Sequence, residues 1–344
     1  MTTPSKPLRN LNRRRFLQSS AAVTAGLAAP AIVSRQALAS SGEINIMMWS
    51  DYLPPSFVEA FEGSTGIKIN FTGIGSNEEI INKLKATGGE GFDIVSPTVN
   101  RNLLWAELGL LQPFDMSKIA IEKVNPAMAL GDAHWNFDGK GSHWVPHIWG
   151  TEGVAWRTDL FTPAGELEPG SMWAAYTTPE KMTEVWTKVV DHAIAKKGNI
   201  KLIWNDADTQ KNGLLNEGVI VGQTWDGPPI ALKTAGEPVM YRAPVEGAMA
   251  WVDGMALPTG AKNIEQVYAF IDACYNPEWA GTAIQTHGYN SPVLGADAFG
   301  GEIYAQNFAD AYPGEALTNL NAWPAEGPWY SEMRTEFTNK FLSA

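Results

Sequence analysis

Short apolar runs alternate with amphipathic stretches over the first hundred or so residues that follow a basic N-terminal segment. The apolar runs predict three strands, Ile44–Trp49, Ile67–Phe71 and Phe92–Ser96. The amphipathic stretches predict three helices, which begin at Pro54-Pro55, at Ser76-Asn77 and at Asn102. Alternation of strand and helix is typical of a parallel sheet covered by helices, so this part of the chain is expected to form an α/β lobe.

The rest of the chain carries a second set of patterned segments. A period of about 3.6 residues predicts helices over Pro179–Lys196, Ile264–Tyr275 and Tyr330–Phe341. Apolar runs without that period predict strands over Val219–Trp225 and Met249–Leu257. Because no low-complexity linker separates the two sets, we expect a second α/β lobe that is joined to the first by chain crossovers.

Residues 1–39 have the organisation of an export signal. They contain six basic residues and no acid, then the apolar run Ala21–Val33, then the small-x-small pattern Ala37-Leu38-Ala39. Arg13-Arg14 followed by Phe16-Leu17 resembles a twin-arginine signal. A retained membrane anchor is the alternative, but this run is short and rich in Ala and Gly, whereas a spanning helix needs roughly 20 strongly apolar residues. We therefore expect a signal peptide and a soluble, exported mature protein.

Charge and composition exclude several classes of function. Without the six basic residues of the signal, 19 of the 25 Lys and Arg remain against 37 Asp and Glu, which is a net charge of −18. Such a chain lacks the basic face that nucleic acid requires; its charge attracts cations, although it serves solubility equally well. The single cysteine, Cys274, forbids an intrachain disulfide. His143 and His147 have helical metal-ligand spacing, but Pro146 disfavours a helix there, so no metal site is expected.

Tryptophan is unusually frequent, with 14 residues. Three of them stand beside a carboxylate at a strand end or edge, in the pairs Trp49/Asp51, Trp225/Asp226 and Trp251/Asp253. An aromatic face attracts a cation by roughly 0.5–2 kcal/mol, and a carboxylate adds a charge-assisted hydrogen bond. Ligands of open α/β sheets bind beyond the carboxyl ends of strands. The pairs therefore predict a site for an organic cation.

The alternative is that these tryptophans belong to the core, as we expect for Trp105, Trp186 and Trp279 on helix faces. Asp253 needs a partner because an unpaired carboxylate in an apolar strand is costly. A ligand cation, a backbone turn or Arg242 could supply that partner.

Catalytic signatures are missing from the sequence. It has no G-x-S-x-G elbow, no phosphate-binding G-x-x-x-x-G-K-[ST] loop and no C-x-x-C pair. Asn205–Asp208 has a weak likeness to a calcium loop, but Thr209-Gln210-Lys211 breaks the ligand pattern. We expect neither an enzyme nor a cofactor, and a periplasmic enzyme that uses clustered acids is the less favoured alternative.

With these residues in place, most of the mature chain resembles the periplasmic spermidine/putrescine-binding proteins of bacterial ABC importers. The likeness is carried by the order and spacing of short motifs: Met48–Pro55, Thr65–Lys68, Ser76–Glu78, Phe92–Val95, Ile148–Gly150, Trp225–Gly227, Trp251–Pro258 and Gly288–Pro292. It implies a two-lobed periplasmic-binding-protein fold of type II, with a hinge of chain crossovers and a ligand cleft between the lobes. The implied division is residues 40–147 plus 252–297 for one lobe and 148–251 plus 298–344 for the other.

The resemblance also implies a set of ligand-binding residues: Trp49, Ser50, Asp51, Tyr52, Thr98, Trp225, Asp226, Trp251, Asp253 and Tyr289. The tryptophans would stack on a methylene chain, Asp253 would bind an ammonium and Tyr289 would close the site. The implied function is capture of a polyamine in the periplasm by a monomer and its delivery to the permease of an ABC importer. A receptor of the same fold for another organic cation or a metal complex is the alternative.

Two segments depart from the family pattern. After the third strand, where the family has a tyrosine-rich stretch, this chain has Val99-Asn100-Arg101, and Arg101 is a poor neighbour for a cation unless it points away. The segment 159–173 is shorter than in the family, and Glu166 and Glu168 are the acids available there to hold a distal amine.

Overall fold

The computed structural model describes residues 42–128, 134–161, 178–244 and 247–344. The expected signal peptide lies outside the described residues, and so do Glu166 and Glu168. Within the described ranges, none of the helices combines the length and the apolar character that crossing a bilayer requires.

The N-terminal part follows the predicted alternation of strands and helices. Its elements are β1 (Glu43–Trp49), α1 (Pro55–Thr65), β2 (Lys68–Ile74), α2 (Asn77–Thr87), β3 (Ile94–Val95), α3 (Asn102–Leu108) and β4 (Leu111–Gln112). β1 pairs in parallel with both β2 and β3, as predicted. Ser76 caps α2 by accepting a hydrogen bond from the Glu79 amide, and Gly66 ends α1 in the left-handed conformation that glycine adopts without strain.

The remaining part contains five strands and seven helices among the described residues. They are β5 (Trp144–Arg157), α4 (Pro179–Ala195), α5 (Ala207–Leu215), β6 (Val221–Trp225), α6 (Gly227–Thr234), β7 (Val239–Arg242), β8 (Met249–Pro258), α7 (Ile264–Cys274), α8 (Pro277–His287), α9 (Gly301–Ala311), β9 (Asn321–Ala322) and α10 (Pro328–Ser343). The sequence predicted α4, β6, β8, α7 and α10 to within a few residues. It did not predict β5, because Pro146, Gly150 and Gly153 interrupt its apolar pattern.

The nine strands of the described residues belong to one sheet, in the order β2-β1-β3-β8-β5-β6, with β4 and β9 paired to β8 and β7 paired to β5. β8 pairs with β3 and β4 through its C-terminal residues and with β9 through Met249 and Ala250. Its antiparallel partner β5 continues to β6 and β7. The long β5–β8 ribbon therefore carries the chain between the two parts of the sheet, which is the expected kind of crossover.

Aromatic residues supply most of the largest fully buried side chains of the core. Trp105 is fully buried, as expected of a core residue, and Trp135 stacks on Trp144 with a ring separation of 5.7 Å. Trp186 and Trp279 are half-buried on their helices. The core thus accounts for several tryptophans and leaves those at the strand ends to be explained.

Candidate ligand-binding site

A cavity of about 170 Å³ lies where the chain leaves β1, β3 and β6 and where β8 passes between the two parts of the sheet. It is lined by eight of the ten residues that the sequence suggested: Trp49, Asp51, Tyr52, Thr98, Trp225, Trp251, Asp253 and Tyr289. Ser50 and Asp226 do not line it. The structure therefore brings most of the predicted site together in one place.

Asp253 is the buried carboxyl at the centre of one wall. The Tyr52 hydroxyl donates a hydrogen bond to its Oδ2, while its Oδ1 is buried without a hydrogen-bond partner. Thr98 pairs with Asp253 through the backbone and is fixed by Asn77, whose amide donates to the Thr98 hydroxyl at 2.8 Å. Burial raises the pKa of Asp253 to about 7, although the hydroxyls of Thr98 and Tyr52 lower it. The partner of Asp253 is thus Tyr52, whereas Arg242 bonds to the Asp310 carbonyl.

Asp51 is the second carboxyl on this side of the cavity, beside the hydroxyl of Tyr289. Burial raises its pKa to about 6, against the opposing charge of Lys211, and its Oδ2 is buried without a hydrogen-bond partner. Tyr289 packs edge-on against Tyr52 and Trp251, with ring separations of 5.5 Å and 5.4 Å. Two residues that line one cavity thus each have a buried carboxyl oxygen without a hydrogen-bond partner, and aromatic rings line the same cavity, which is the environment that an ammonium prefers.

Trp49 and Trp225 form an aromatic part of the cavity wall. Their rings are in edge-to-face contact, with the ring centroids 5.6 Å apart. The Trp49 indole is held by a hydrogen bond to the Ser96 carbonyl at 3.1 Å, and Trp204 supports Trp225 at 4.9 Å. Glu152 lines the cavity directly opposite Trp225 in the β5–β6 register.

Glu152 is a carboxyl that sequence reasoning did not select. Burial raises its pKa to about 7, although the indole of Trp225 and the amide of Gln223 lower it, the latter by donating at 2.7 Å. Its strand was not predicted, so its pairing with Trp225 could not be derived from the sequence. The signal was present, however, since a single acid stands between Thr151 and Gly153 in an otherwise apolar stretch.

Asp226 lies behind the cavity wall. It is fully buried, and its Oδ2 accepts hydrogen bonds from Asn290 at 3.0 Å and from Tyr312 at 2.6 Å. Burial raises its pKa to about 7, against the hydrogen bond from Tyr312. Ser50 is exposed at the turn after β1. Of the three tryptophan–acid pairs, two line the cavity with both members and the third contributes Trp225 alone.

Two arginines and two glutamates form an ion-pair cluster on another part of the wall. Arg101 lines the cavity and lies 2.9 Å from Glu326 and 3.2 Å from Glu78. Arg334 binds the same two glutamates at 3.1 Å and 2.8 Å. Asn100 donates to Glu326 at 3.0 Å. Arg101 therefore does not point away from the site, and its charge is balanced by glutamates that the sequence alone did not connect to it.

Two neutral histidines support the Tyr52 ring from outside the cavity. His147 and His287 lie 6.0 Å and 6.4 Å from it, and burial lowers their pKa values to about 4 and about 3. In the part of the chain that the structure describes, no group of three His, Cys, Asp or Glu side chains could hold a metal ion. Asp206, in the segment that resembled a calcium loop, caps α5 by accepting from the Thr209 amide at 2.7 Å.

Comparison with known proteins agrees with this geometry. Residues 50–281 match the family of bacterial extracellular solute-binding proteins. The spermidine/putrescine-binding periplasmic protein of Salmonella typhimurium is 28% identical over 271 residues, which cover 72% of this chain and 77% of the relative. The putrescine-binding periplasmic protein PotF of Escherichia coli is 28% identical over 275 residues, 68% of this chain and 74% of the relative.

The fold matches in the same way. The spermidine/putrescine substrate-binding protein PotD of Streptococcus pneumoniae superposes with a TM-score of 0.67 at 24% identity, over 88% of this chain and 98% of that structure. The predicted fold class, a two-lobed α/β periplasmic-binding-protein fold, is thereby confirmed. The chain belongs to the bacterial extracellular solute-binding proteins, a family of binding proteins and not of enzymes.

Proposed function

We propose that this protein captures a polyamine of the putrescine/spermidine kind in the periplasm and delivers it to an ABC importer, without catalysing a reaction. The observation that carries the proposal is that carboxyls and aromatic rings line one cavity together, among them Asp51, Glu152, Asp253, Trp49, Tyr52, Trp225 and Trp251. The named relatives bind polyamines, which agrees with this chemistry.

The roles of the residues follow from their surroundings. The free oxygens of Asp51 and Asp253 accept hydrogen bonds from one ammonium, and Glu152 accepts from another. The methylene chain that joins the two ammonium groups lies against the surface that the Trp49 and Trp225 rings form together, because this surface is apolar and also attracts positive charge. An amine in this position leaves few carboxyl oxygens without a partner, which is the condition for keeping buried charges.

Delivery requires the two lobes to close on the amine and to present the closed form to the permease. We assign residues 40–147 plus 252–297 to one lobe and residues 148–251 plus 298–344 to the other, since β5 and β8 pass between the two parts of the sheet near residues 148 and 252. Tyr52 and Asp253 then belong to the first lobe, and Trp225 and Glu152 to the second. A ligand that touches all four favours the closed state.

A thermal-shift measurement with an amine panel tests the proposal. Putrescine at 100 times its dissociation constant should stabilise the protein by about 2.7 kcal/mol and raise its melting temperature accordingly. 4-Aminobutyrate and choline serve as controls with one positive charge. If the controls shift the melting curve and no polyamine does, the protein is a receptor for another cation and the proposal fails.

A further inference from the structure

Three groups of charged side chains line the cavity, and two of them offer a carboxylate to a ligand. Asp51 and Asp253 form the first group, and Glu152 beside Trp225 forms the second. In the third group the carboxylate of Glu326 is only 2% exposed and is already held by two arginines. An amine that enters the cavity therefore meets two acidic positions and one position occupied by guanidinium groups.

Arg101 is the fixed positive charge of that third group. It is the last residue of the 3-10 turn Val99–Arg101, is only 6% exposed, and its Nε is buried without a hydrogen-bond acceptor. Glu78 and Glu326 form ion pairs with its guanidinium and also with that of Arg334. Both carboxylates are therefore already paired, and neither is available to a ligand ammonium. The charge of Arg101 reaches the ligand side of the cavity, because it lowers the pKa of Asp253.

We propose that Arg101 is a specificity-determining residue that restricts this cavity to diamines and rejects the third ammonium of a triamine. The inference rests on the proposed function and narrows its ligand to short α,ω-diamines. Two ammonium groups are matched by the two acidic groups. A third ammonium beside Arg101 meets a like charge and finds no unpaired carboxylate there, because Glu78 and Glu326 are already bound by the two arginines.

Calorimetry on the wild-type protein separates charge from length. The probes are putrescine, spermidine and monoacetylated spermidine, which is at least as long as spermidine but carries only two positive charges. Putrescine should bind at least about tenfold more tightly than spermidine, and acetylation should recover a large part of that loss. If spermidine binds as tightly as putrescine, the inference about Arg101 is wrong, but the proposed function still stands. If none of the three binds, the proposed function falls and the inference falls with it.

Variants then assign the effect to Arg101. In Arg101→Gln the ratio of the spermidine and putrescine dissociation constants should fall about tenfold or more, whereas Arg101→Lys, which keeps the charge, should preserve the wild-type ratio. Arg157→Gln, which removes an ion-paired arginine far from the cavity lining, is the matched control and should also preserve it. A folded Arg101→Gln protein with the wild-type ratio contradicts the assignment. If that variant does not fold, the wild-type comparison with acetylated spermidine decides.

Discussion

At the scale of single residues, the cavity contains carboxyls that burial has made reluctant to ionise. The pKa values of Glu152 and Asp253 lie at about 7 and that of Asp51 at about 6. These carboxyls need a positively charged partner, because the described hydrogen bonds leave one oxygen of Asp51 and one of Asp253 without a partner. Binding of an ammonium should therefore coincide with release of protons from these carboxyls.

The first prediction is that amine affinity rises with pH. Below about pH 6 these carboxyls are protonated and attract an ammonium only weakly. Above about pH 7 they are charged, while an aliphatic ammonium keeps its proton to about pH 10. Putrescine affinity should rise at least about tenfold between pH 5.5 and 8, since one pKa unit corresponds to about 1.36 kcal/mol. Calorimetry in phosphate and in Tris at equal pH should show an enthalpy difference that reports the released protons. Affinity independent of pH contradicts the assignment.

The same raised pKa values make the ligand-free protein less stable as the pH rises, whereas they make amine binding tighter. A carboxyl such as Asp253, whose pKa is raised from 3.8 to about 7 by folding, binds more protons in the folded chain than in the unfolded chain between those values. Its contribution to the free energy of unfolding is therefore fully present below pH 3.8 and is lost as the pH rises towards 7. Urea unfolding at pH 5 and pH 7.5, with and without putrescine, should show that the amine stabilises more at the higher pH.

Asp253→Asn is the second prediction. At pH 8 the substitution removes the negative charge and leaves the bound ammonium without its counterion, at a cost of roughly 3–5 kcal/mol where burial is complete. Calorimetry should show the corresponding loss of putrescine affinity. Asp93→Asn is the matched control, because Asp93 is a buried carboxyl that bonds to Asn45 and Asn263 and does not line the cavity. Equal affinities for the wild type and Asp253→Asn would remove this residue from the site.

Spacing along the strand explains which carboxyls could be placed from the sequence. In an extended chain, residues two apart share a side and adjacent residues do not. Trp251 and Asp253 are two apart within β8, and both line the cavity; Asp51 lines it too, but from the turn after β1, where strand spacing does not apply. Trp225 and Asp226 are adjacent, and Asp226 turns away to Asn290 and Tyr312. That an acid is adjacent to a tryptophan in sequence was therefore not enough to predict that Asp226 lines the cavity.

At the scale of elements, close approach between strands shapes the site. A Cβ at Gly150 of β5 would collide with the Trp251 ring and with Asp226, and one at Gly227 would collide with the Tyr289 ring. The approach of Gly150 to Trp251 depends on the register of β5 against β8, which pairs residues about a hundred positions apart. The sequence predicted β8 but not β5, so neither the contacts nor the position of Glu152 could be derived from it.

Gly150→Ala is the third prediction. The added methyl group displaces Trp251, so both the melting temperature and the putrescine affinity should fall, with a cost of about 1–3 kcal/mol in stability as is typical of overpacking. Gly63→Ala is the control, because a Cβ there meets nothing and alanine favours the helix α1. A Gly150→Ala protein that keeps the wild-type melting temperature would show that this approach is not tight.

At the scale of the whole molecule, the ion-pair cluster joins segments that are far apart in the chain. Glu78 and Arg101 belong to the N-terminal part, whereas Glu326 and Arg334 belong to the last 20 residues or so. In the proposed division the cluster therefore spans both lobes beside the cavity. Sequence reasoning identified the fold class and the crossovers, but no local pattern connects charges more than 200 residues apart.

Glu326→Gln is the fourth prediction. It leaves Arg101 and Arg334 side by side with one carboxylate fewer, and breaking a buried pair in this way costs roughly 3–5 kcal/mol. The free energy of unfolding in urea should fall by an amount of this order, and the loss should be smaller in high salt. Glu332→Gln, an exposed position on the same helix α10 as Arg334, should change stability by less than about 0.5 kcal/mol. Equal stabilities of the two variants would mean that the cluster does not hold the lobes together.

The central claim is that one cavity binds an amine through its carboxyls and aromatic rings. A crystal structure grown with saturating putrescine tests it most directly. One amine nitrogen should lie within hydrogen-bond distance of Asp51 or Asp253, the other near Glu152, and the methylene chain should lie against the aromatic surface that Trp49 and Trp225 form together. Putrescine bound outside this cavity, or an empty cavity at a concentration that saturates the protein in solution, would contradict it.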